Sequence, residues 1–530
     1  MPRKARRAAL GTLASGVLVG CAGDVAAPAG QATPAPTGAR TIAPTSAPSS
    51  VLGAQARAPR QSPALDSFPA LSLKIASPAP GSVPEIDFRS AFGAAGDGAA
   101  DDMPAFARMA EAVNAGRVPP GSVVRLSEGT YRVPGNTAVT FRRPVVLRGA
   151  GPGTGGTAIR LEYTQQRSLF LRVAGEGVYQ RHSKSLYSGS QGNNSYPSAP
   201  FAAVHGVPRR GDTAVAVERP ELFKPGDNVY LLCDDYGEEI VYRPNNKRFQ
   251  HYILKQYLGV TAVEGNEVLL DTPLRHDFAG AAPRLYRWQP VTGFGIEHLT
   301  IEDASQIADT EETNTFKGVS FDGVVDGWIW DVHFVDNTSH PLSVGKSRRV
   351  VVSECVFDRA RHVGGGGNGY LPEIYYSDDC LVEYSTSIQG RHAMITNWSC
   401  WGNVFRHNRV VGTQNTETHG EYNVGNLYLR NDARESRMEV GGGGDTTHAH
   451  DGPFNELREN YARALRVLKR ADRSNRLIGN WHLDAITNTG TGTTLENNQR
   501  VPAGWNDYPW AQHCGHDHTQ MAETARPSWA

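Results

Sequence analysis

Histidine takes and gives protons near neutral pH without large tuning, and four histidines of this chain keep company that could use this. They are His392, directly after Arg391; His419, in the string Thr418-His419-Gly420-Glu421; and the pair His448 and His450. Glu373, Tyr375 and Trp398 are spaced before and among them. An imidazole beside a carboxylate and a guanidinium suits removal of a proton from a carbon next to an anionic group. In that chemistry Arg391 would neutralise the anion through its planar fork. His392 or His419 would act as base, and Glu421 completes the reacting set. Glu373, Tyr375, Trp398, His448 and His450 would surround the bound molecule with hydrogen-bonding groups and aromatic rings.

A different chemistry needs two carboxyl groups, roughly 6.5–9.5 Å apart for inversion or about 5–5.5 Å for retention at a sugar carbon. Glu373, Asp378, Asp379 and Glu421 are the candidates. Metal chemistry has little support. The chain has neither a Cys-x-x-Cys pair nor a calcium loop of the EF-hand type. The run from His513 to His518 reads as a solvated polar stretch rather than a transition-metal site. Glycine-rich stretches at 364–369 and 441–445 lack a strand-to-helix setting, so they read as loops and not as phosphate cradles.

What would position these groups is a repeat. From residue 290 onward an apolar residue, two variable residues and a small or amide residue recur, ending at Val332, Cys355, Ser385, Asn408, Asn431, Asn460, Asn480 and Asn498. The steps are 23, 30, 23, 23, 29, 20 and 18 residues, a period that signals stacked coils. Short β-branched, Gly- and Asn-rich segments exclude helical repeats. The five asparagines in register predict a ladder, because coils about 4.8 Å apart let side-chain amides hydrogen-bond up and down the stack. The fold class is all-β, a parallel β-helix solenoid.

The ladder also supplies a register. Counting back twelve and ten positions gives Glu373 and Tyr375, Thr396 and Trp398, His419 and Glu421, then His448 and His450. Strand alternation sends these outward together with His392 and Met394, and turns Ala393 and Ile395 inward. The expectation is one exposed outer face carrying carboxylates, imidazoles and aromatics over four coils.

The start of the folded region runs Phe92-Gly93-Ala94-Ala95-Gly96-Asp97-Gly98, Asp101-Asp102, a helical run from Ala105 to Asn114, then Val123 to Tyr131. It resembles the opening of the pectate-lyase-type β-helix superfamily. The resemblance implies a right-handed solenoid whose raw end is covered by that helix. It also implies kinship with polysaccharide lyases, galacturonan hydrolases, epimerases and phage tailspikes. Pairs such as Arg391-His392 and His419-Gly420 are similar to those on the active faces of several such enzymes. Ser377-Asp378-Asp379-Cys380 resembles the paired Asp and Cys of the hydrolases, whose Asn-Thr-Asp and Arg-Ile-Lys strings are absent here. Calcium assists many of these lyases, so the resemblance leaves calcium open as a cofactor and suggests no other.

Six segments follow. Residues 1–21 read as a lipoprotein-type signal peptide, with Arg3, Lys4, Arg6 and Arg7 before a stretch too short to cross a bilayer. Leu18-Val19-Gly20-Cys21 resembles the lipobox whose cysteine is acylated. Residues 22–80 are an Ala-, Pro-, Ser- and Thr-rich tether, 81–200 the cap and first coils, 201–290 a β-rich insertion, 291–500 the main β-helix, and 501–530 a polar tail. Cys233, Cys355, Cys380, Cys400 and Cys514 remain, and Cys355, Cys380 and Cys400 recur at intervals close to the repeat, where some are expected to stack or bridge between coils.

With 53 Lys+Arg against 54 Asp+Glu and no basic stripe, nothing argues for nucleic acid. A local basic cleft for an acidic substrate is still compatible with this balance. The expected protein is exported to the cell surface or periplasm, touches the membrane only through a lipid on Cys21, and meets a polysaccharide. Its expected activity is β-elimination of a uronate-containing polymer. Glycoside hydrolysis on the same face is the alternative, and a non-catalytic glycan-binding or adhesin solenoid is another.

Overall fold

The computed structural model describes residues 68–164, 168–178, 199–233, 254–279, 283–305, 316–364, 368–420, 422–442, 451–468 and 474–507, and every statement below refers to these. The signal segment with Cys21, and Glu421, His448, His450, Cys514 and the run His513 to His518, lie outside the described residues.

From Gly295 onward each coil lays strands into three stacks. One runs Trp328–Asn337, Val351–Ser353, Leu381–Glu383, Val404–Arg406, Leu427–Leu429, Glu456–Arg458 and Arg476–Ile478. The second contains Val356–Ala360, Thr386–Ile388, Arg409–Val411 and Asp432–Val440. The third contains Phe316–Asp322, His340–Gly345, Tyr370–Tyr375, His392–Asn397 and Asn415–His419. All of these pairings are parallel, as a chain winding one way around an axis must make them. The fold is a right-handed parallel β-helix.

Inside, one apolar core runs the length of the solenoid. Equivalent positions of successive coils stack like on like. Phe334 lies on Phe357 at 5.2 Å and Phe405 on Tyr428 at 4.7 Å, both pairs with nearly parallel rings. Full burial of such a ring contributes about 1.5–3 kcal/mol.

The bends are held by amides. Nδ2 of Asn408 donates to Oδ1 of Asn431 (3.0 Å), and the contact repeats from Asn431 to Asn460, Asn460 to Asn480 and Asn480 to Asn498. Before each ladder residue stands a left-handed one: His407, Arg430, Glu459 and Asn497, with Gly479 in the fourth coil. That conformation costs roughly 1–2 kcal/mol for a residue with a Cβ, and the ladder bonds offset it. A second ladder, Asn403 to Asn426 to Asn455, holds another corner; no repeat in the sequence reading had pointed to it.

The open end is covered by helix Met103–Asn114, whose Phe106, Met109 and Val113 are buried. Phe106 meets Phe170 edge-on at 5.1 Å. On the flank sits a six-stranded antiparallel sheet built from Phe201–Ala203, Ala214–Ala216, Asn228–Leu232, Lys255–Glu264, Glu267–Leu270 and Arg284–Trp288.

Two boundaries need correction. The tether does not extend to residue 80, because Phe68, Leu71, Leu73 and Ile75 pack around buried Ala70 against an outer stripe of Trp328, Val351, Leu381, Val404 and Leu427. Four large apolar residues within eight positions are enough to dock the segment. The polar tail likewise begins later than 501, since Trp505 stacks on Trp481 at 5.7 Å. Cys355, Cys380 and Cys400 are buried free thiols rather than bridges. Cys355 and Cys400 donate to carbonyls of the preceding coil, Ile329 and Ile374.

Candidate active site

The third strand stack carries the candidate residues, and its register differs from the one expected. Tyr375 pairs with Asn397, and Asn397 with His419. His392 pairs with Tyr370 on one side and Asn415 on the other, and Asn415 pairs with Arg437. Counting back a constant distance failed because Tyr375 lies ten residues before Ser385, Asn397 eleven before Asn408 and His419 twelve before Asn431. In addition, a bulge interrupts the strand His392–Asn397 between Ala393 and Thr396. Met394 there has φ +48° and turns into the core, so the expected outward Met394 is corrected.

The exposed outer face is corrected as well. His392 retains only 3 % of its surface, His419 6 % and Glu373 4 %. Tyr375 and Trp398 do not join the histidines in one cluster; they pack against the aromatic cluster of the flanking sheet, including Tyr230, Tyr257 and Trp288. Glu373 is held by Ser343 (2.9 Å) and by Nδ2 of Asn397 (2.7 Å).

What the fold does bring together is His392, His419 and a residue the sequence reading passed over, Glu417. Nδ1 of His419 contacts Oε1 of Glu417, and Nδ1 of His392 lies 3.5 Å from the same oxygen. One ligand atom from each residue lies within 4.8 Å of the others, so the three could hold a metal ion. Asn415 ties the group together. Its Oδ1 contacts Nδ1 of His392, and its Nδ2 donates to Oε2 of Glu417 (2.6 Å) and of Glu439 (2.9 Å). The Tyr370 ring covers both imidazoles, 5.0 Å from His392 and 6.0 Å from His419. The signal was available in Asn415-Thr416-Glu417-Thr418-His419, whose alternation puts Asn415, Glu417 and His419 on one side of a strand.

Burial sets the protonation states. Burial alone would raise Glu417, but the charges of His419 and His392 and hydrogen bonds from His419 and Asn415 outweigh it and hold it at about 2. His392 is pushed down to about 4, mainly by burial, with His419 and Arg391 adding to the shift against the pull of Glu417. Glu439 moves the other way, raised by burial and then by the charge of Glu417.

Beside the cluster opens a groove of about 840 Å³ walled by Arg391, Arg437, Arg463 and Arg466, with Glu435 and Asp484. The register explains the contact between the two regions: His392, Asn415 and Arg437 are one column on adjacent coils. Arg437 and Arg466 reach Glu439 at 2.8 and 3.3 Å. Arg391 donates to the carbonyl of Gly364 (3.1 Å), and among the described residues no carboxylate pairs with it.

The chain matches no family model and no curated protein. Among solved structures it is similar to the tailspike protein gp49 from Pseudomonas phage LKA1, with 14% identity over 79% of this chain and 82% of that one and a TM-score of 0.47. It is similar to the adhesin PfbA of Streptococcus pneumoniae, with 11% identity over 79% and 92% and a TM-score of 0.42. It is also similar to DFA-IIIase from Arthrobacter chlorophenolicus A6, with 11% identity over 85% and 90% and a TM-score of 0.44. At such identities and scores none of these likenesses transfers a residue or an activity to this chain.

The Asp378-Asp379 pair has a different job from the one its string suggested. Asp378 binds Nζ of Lys255 at 2.6 Å and accepts from the backbone N–H of Tyr257 at 2.7 Å. Asp379 pairs with Arg275 and Arg348 at 2.5 and 3.4 Å. These carboxylates clamp the flanking sheet to the solenoid and are not placed to act on a substrate in the groove.

Proposed function

We propose that this chain is a glycan-cleaving enzyme that opens an acidic polysaccharide by β-elimination. One observation carries the reading: a buried His392–Glu417–His419 cluster adjoins an arginine-lined groove. A uronate carboxylate in that groove would be neutralised by Arg391 and Arg437, which acidifies the proton on the neighbouring carbon. The cluster generates the base that takes the C5 proton. The C5–H electrons form the C4=C5 double bond, the C4–O bond breaks, and the leaving oxygen takes a proton from water.

Glu417 and Glu439 support a second reading. They share the Nδ2 of Asn415, yet their pKa values are driven apart, which is what a hydrolase asks of its base and its acid. Incubation with a panel of acidic and neutral polysaccharides tests both. Unsaturated uronate products, seen by their ultraviolet absorbance, support elimination; new reducing ends without that absorbance sink it in favour of hydrolysis. No cleavage of any kind, with retained glycan binding, would leave a binding solenoid.

Export and anchoring belong to the same proposal. The basic N-terminus and Cys21 support a lipid-anchored enzyme outside the cytoplasm, and Cys21→Ser should release it from washed membranes. Membrane association that survives this substitution would remove the anchor.

A further inference from the structure

We infer that His392, Glu417 and His419 form a binding site for one divalent transition-metal ion of the zinc, cobalt or manganese class. The donors come from two adjacent coils, and the parallel pairing of strands His392–Asn397 and Asn415–His419 fixes their spacing. One nitrogen or oxygen from each lies within 4.8 Å of the others. Around a tetrahedral ion with bonds of about 2.1 Å, neighbouring ligand atoms stand about 3.4 Å apart. Nδ1 of His392 is 3.5 Å from Oε1 of Glu417.

The arrangement is more than a hydrogen-bonded pair needs. Two ring nitrogens, from adjacent coils, converge on a single carboxylate oxygen. A cation placed between them takes both nitrogens and the oxygen together. Oδ1 of Asn415 contacts Nδ1 of His392 and fixes the orientation of that ring. The outer support fits as well. The second oxygen of Glu417 is held by Nδ2 of Asn415 at 2.6 Å, and that amide is held by Glu439 at 2.9 Å, the kind of partner that orients metal ligands.

His392 is the more buried of the two imidazoles, 3 % exposed against 6 % for His419. Its Nε2 is buried without a hydrogen-bond partner, so the ring is tied only through Nδ1. An ion at Nδ1 releases that proton to solvent and leaves the ring proton on Nε2, beside the Tyr370 ring at 5.0 Å. Two imidazoles and a single carboxylate suit a transition ion and disfavour calcium, which takes six to eight oxygens.

The role of the ion rests on the elimination reading; its binding does not. A water on the ion loses a proton to solvent at lower pH than free water does. The resulting hydroxide accepts the C5 proton and returns to water as the C4–O bond breaks.

The test uses the full, untagged chain, stripped with a chelator and titrated with zinc chloride by calorimetry. One zinc per chain is expected, with a rise in melting temperature. His419→Ala should abolish uptake, and the isosteric Glu417→Gln, which keeps the packing, should weaken it at least tenfold. Asn415→Ala should weaken it roughly tenfold to a hundredfold. Absence of zinc uptake by the wild type, or equal uptake by folded Glu417→Gln, overturns the site. Cleavage that persists in the metal-free protein overturns the ion's role in the reaction and keeps the enzyme; stoichiometric zinc with no cleavage on the whole panel keeps the site and overturns the enzyme.

Discussion

Oε1 of Glu417 faces Nδ1 of His392 across adjacent coils at 3.5 Å while touching Nδ1 of His419 two residues along its own strand. This relationship needs both the parallel pairing and the alternation within one strand. It places a buried carboxylate between two imidazoles, and the first prediction follows from it.

Glu417→Gln and His419→Ala should each lower turnover by about a hundredfold to ten-thousandfold. Turnover and thermal stability do not separate fully for His419, because a side chain with 6 % exposure also packs. A fall in melting temperature is therefore expected for His419→Ala, and also for Glu417→Gln near neutrality, because the depressed Glu417 carboxylate contributes to stability there. Wild-type turnover in both variants, on every polysaccharide the parent cleaves, would move the chemistry elsewhere.

Asn460→Leu should cost about 1–3 kcal/mol, the penalty for stranding buried polar groups. Oδ1 of Asn460 accepts from the backbone N–H and from Nδ2 of Asn431, and its own Nδ2 donates to Tyr428 and Asn480. Urea unfolding of the two proteins side by side measures the difference. Identical midpoints would mean the ladder holds nothing.

The fold was legible because the β-helix writes its period into the chain: ladder asparagines such as Asn431 and Asn460 must recur wherever a left-handed bend needs an amide. The cap was legible for a similar local reason, in the helix that follows Asp101-Asp102. The site was only half legible. His392 and His419 stood out by type, but their register depends on a bulge at Met394 and on corner lengths that differ between coils. Glu417 hid because it resembles any strand glutamate until its neighbours are known. Asp378 and Asp379 misled in the opposite sense, since a polar pair before a strand looks the same whether it meets a sugar or an ion-paired lysine from sequence far away.

That clamp makes a third prediction. Lys255 and Asp378 are both fully buried, and burial pushes the Asp378 carboxyl up to about 6 although Lys255 pulls it down. Lys255→Met should destabilise by roughly 3–5 kcal/mol, because it leaves a carboxylate buried without its cation. The double variant Lys255→Met/Asp378→Leu should recover much of the loss. A double variant no better than the single one would show that packing, not charge, decides this contact.

Asp271 predicts a pH dependence. Burial alone would raise its carboxyl, but the Arg348 guanidinium at 2.7 Å, with bonds from Gly259 and Thr272, holds it below its ordinary 3.8. A depressed folded pKa means that its contribution is present above the unfolded value and fades as pH falls toward the folded one. Asp271→Asn should therefore lower stability near neutrality and flatten the acid limb of the unfolding midpoint against pH. An acid limb as steep as that of the parent would remove Asp271 from the account.

The last prediction concerns what the groove recognises. Arg391 has a carbonyl partner in Gly364 but no carboxylate among the described residues, whereas Arg437 and Arg466 are partly neutralised by Glu439. Arg391 is thus the wall residue with most charge left over for a substrate. Arg391→Lys keeps that charge and loses the planar fork that meets a carboxylate with two parallel bonds. Turnover on acidic polymers should fall with a rise in KM, and any turnover on their methyl-esterified forms should change little, since an ester offers no anion to clamp. Added salt should weaken the parent on acidic polymers and matter less for neutral ones. Equal losses on acidic and esterified substrates would show that Arg391 shapes the groove without reading charge, and the acidic-substrate reading would then lose its main support.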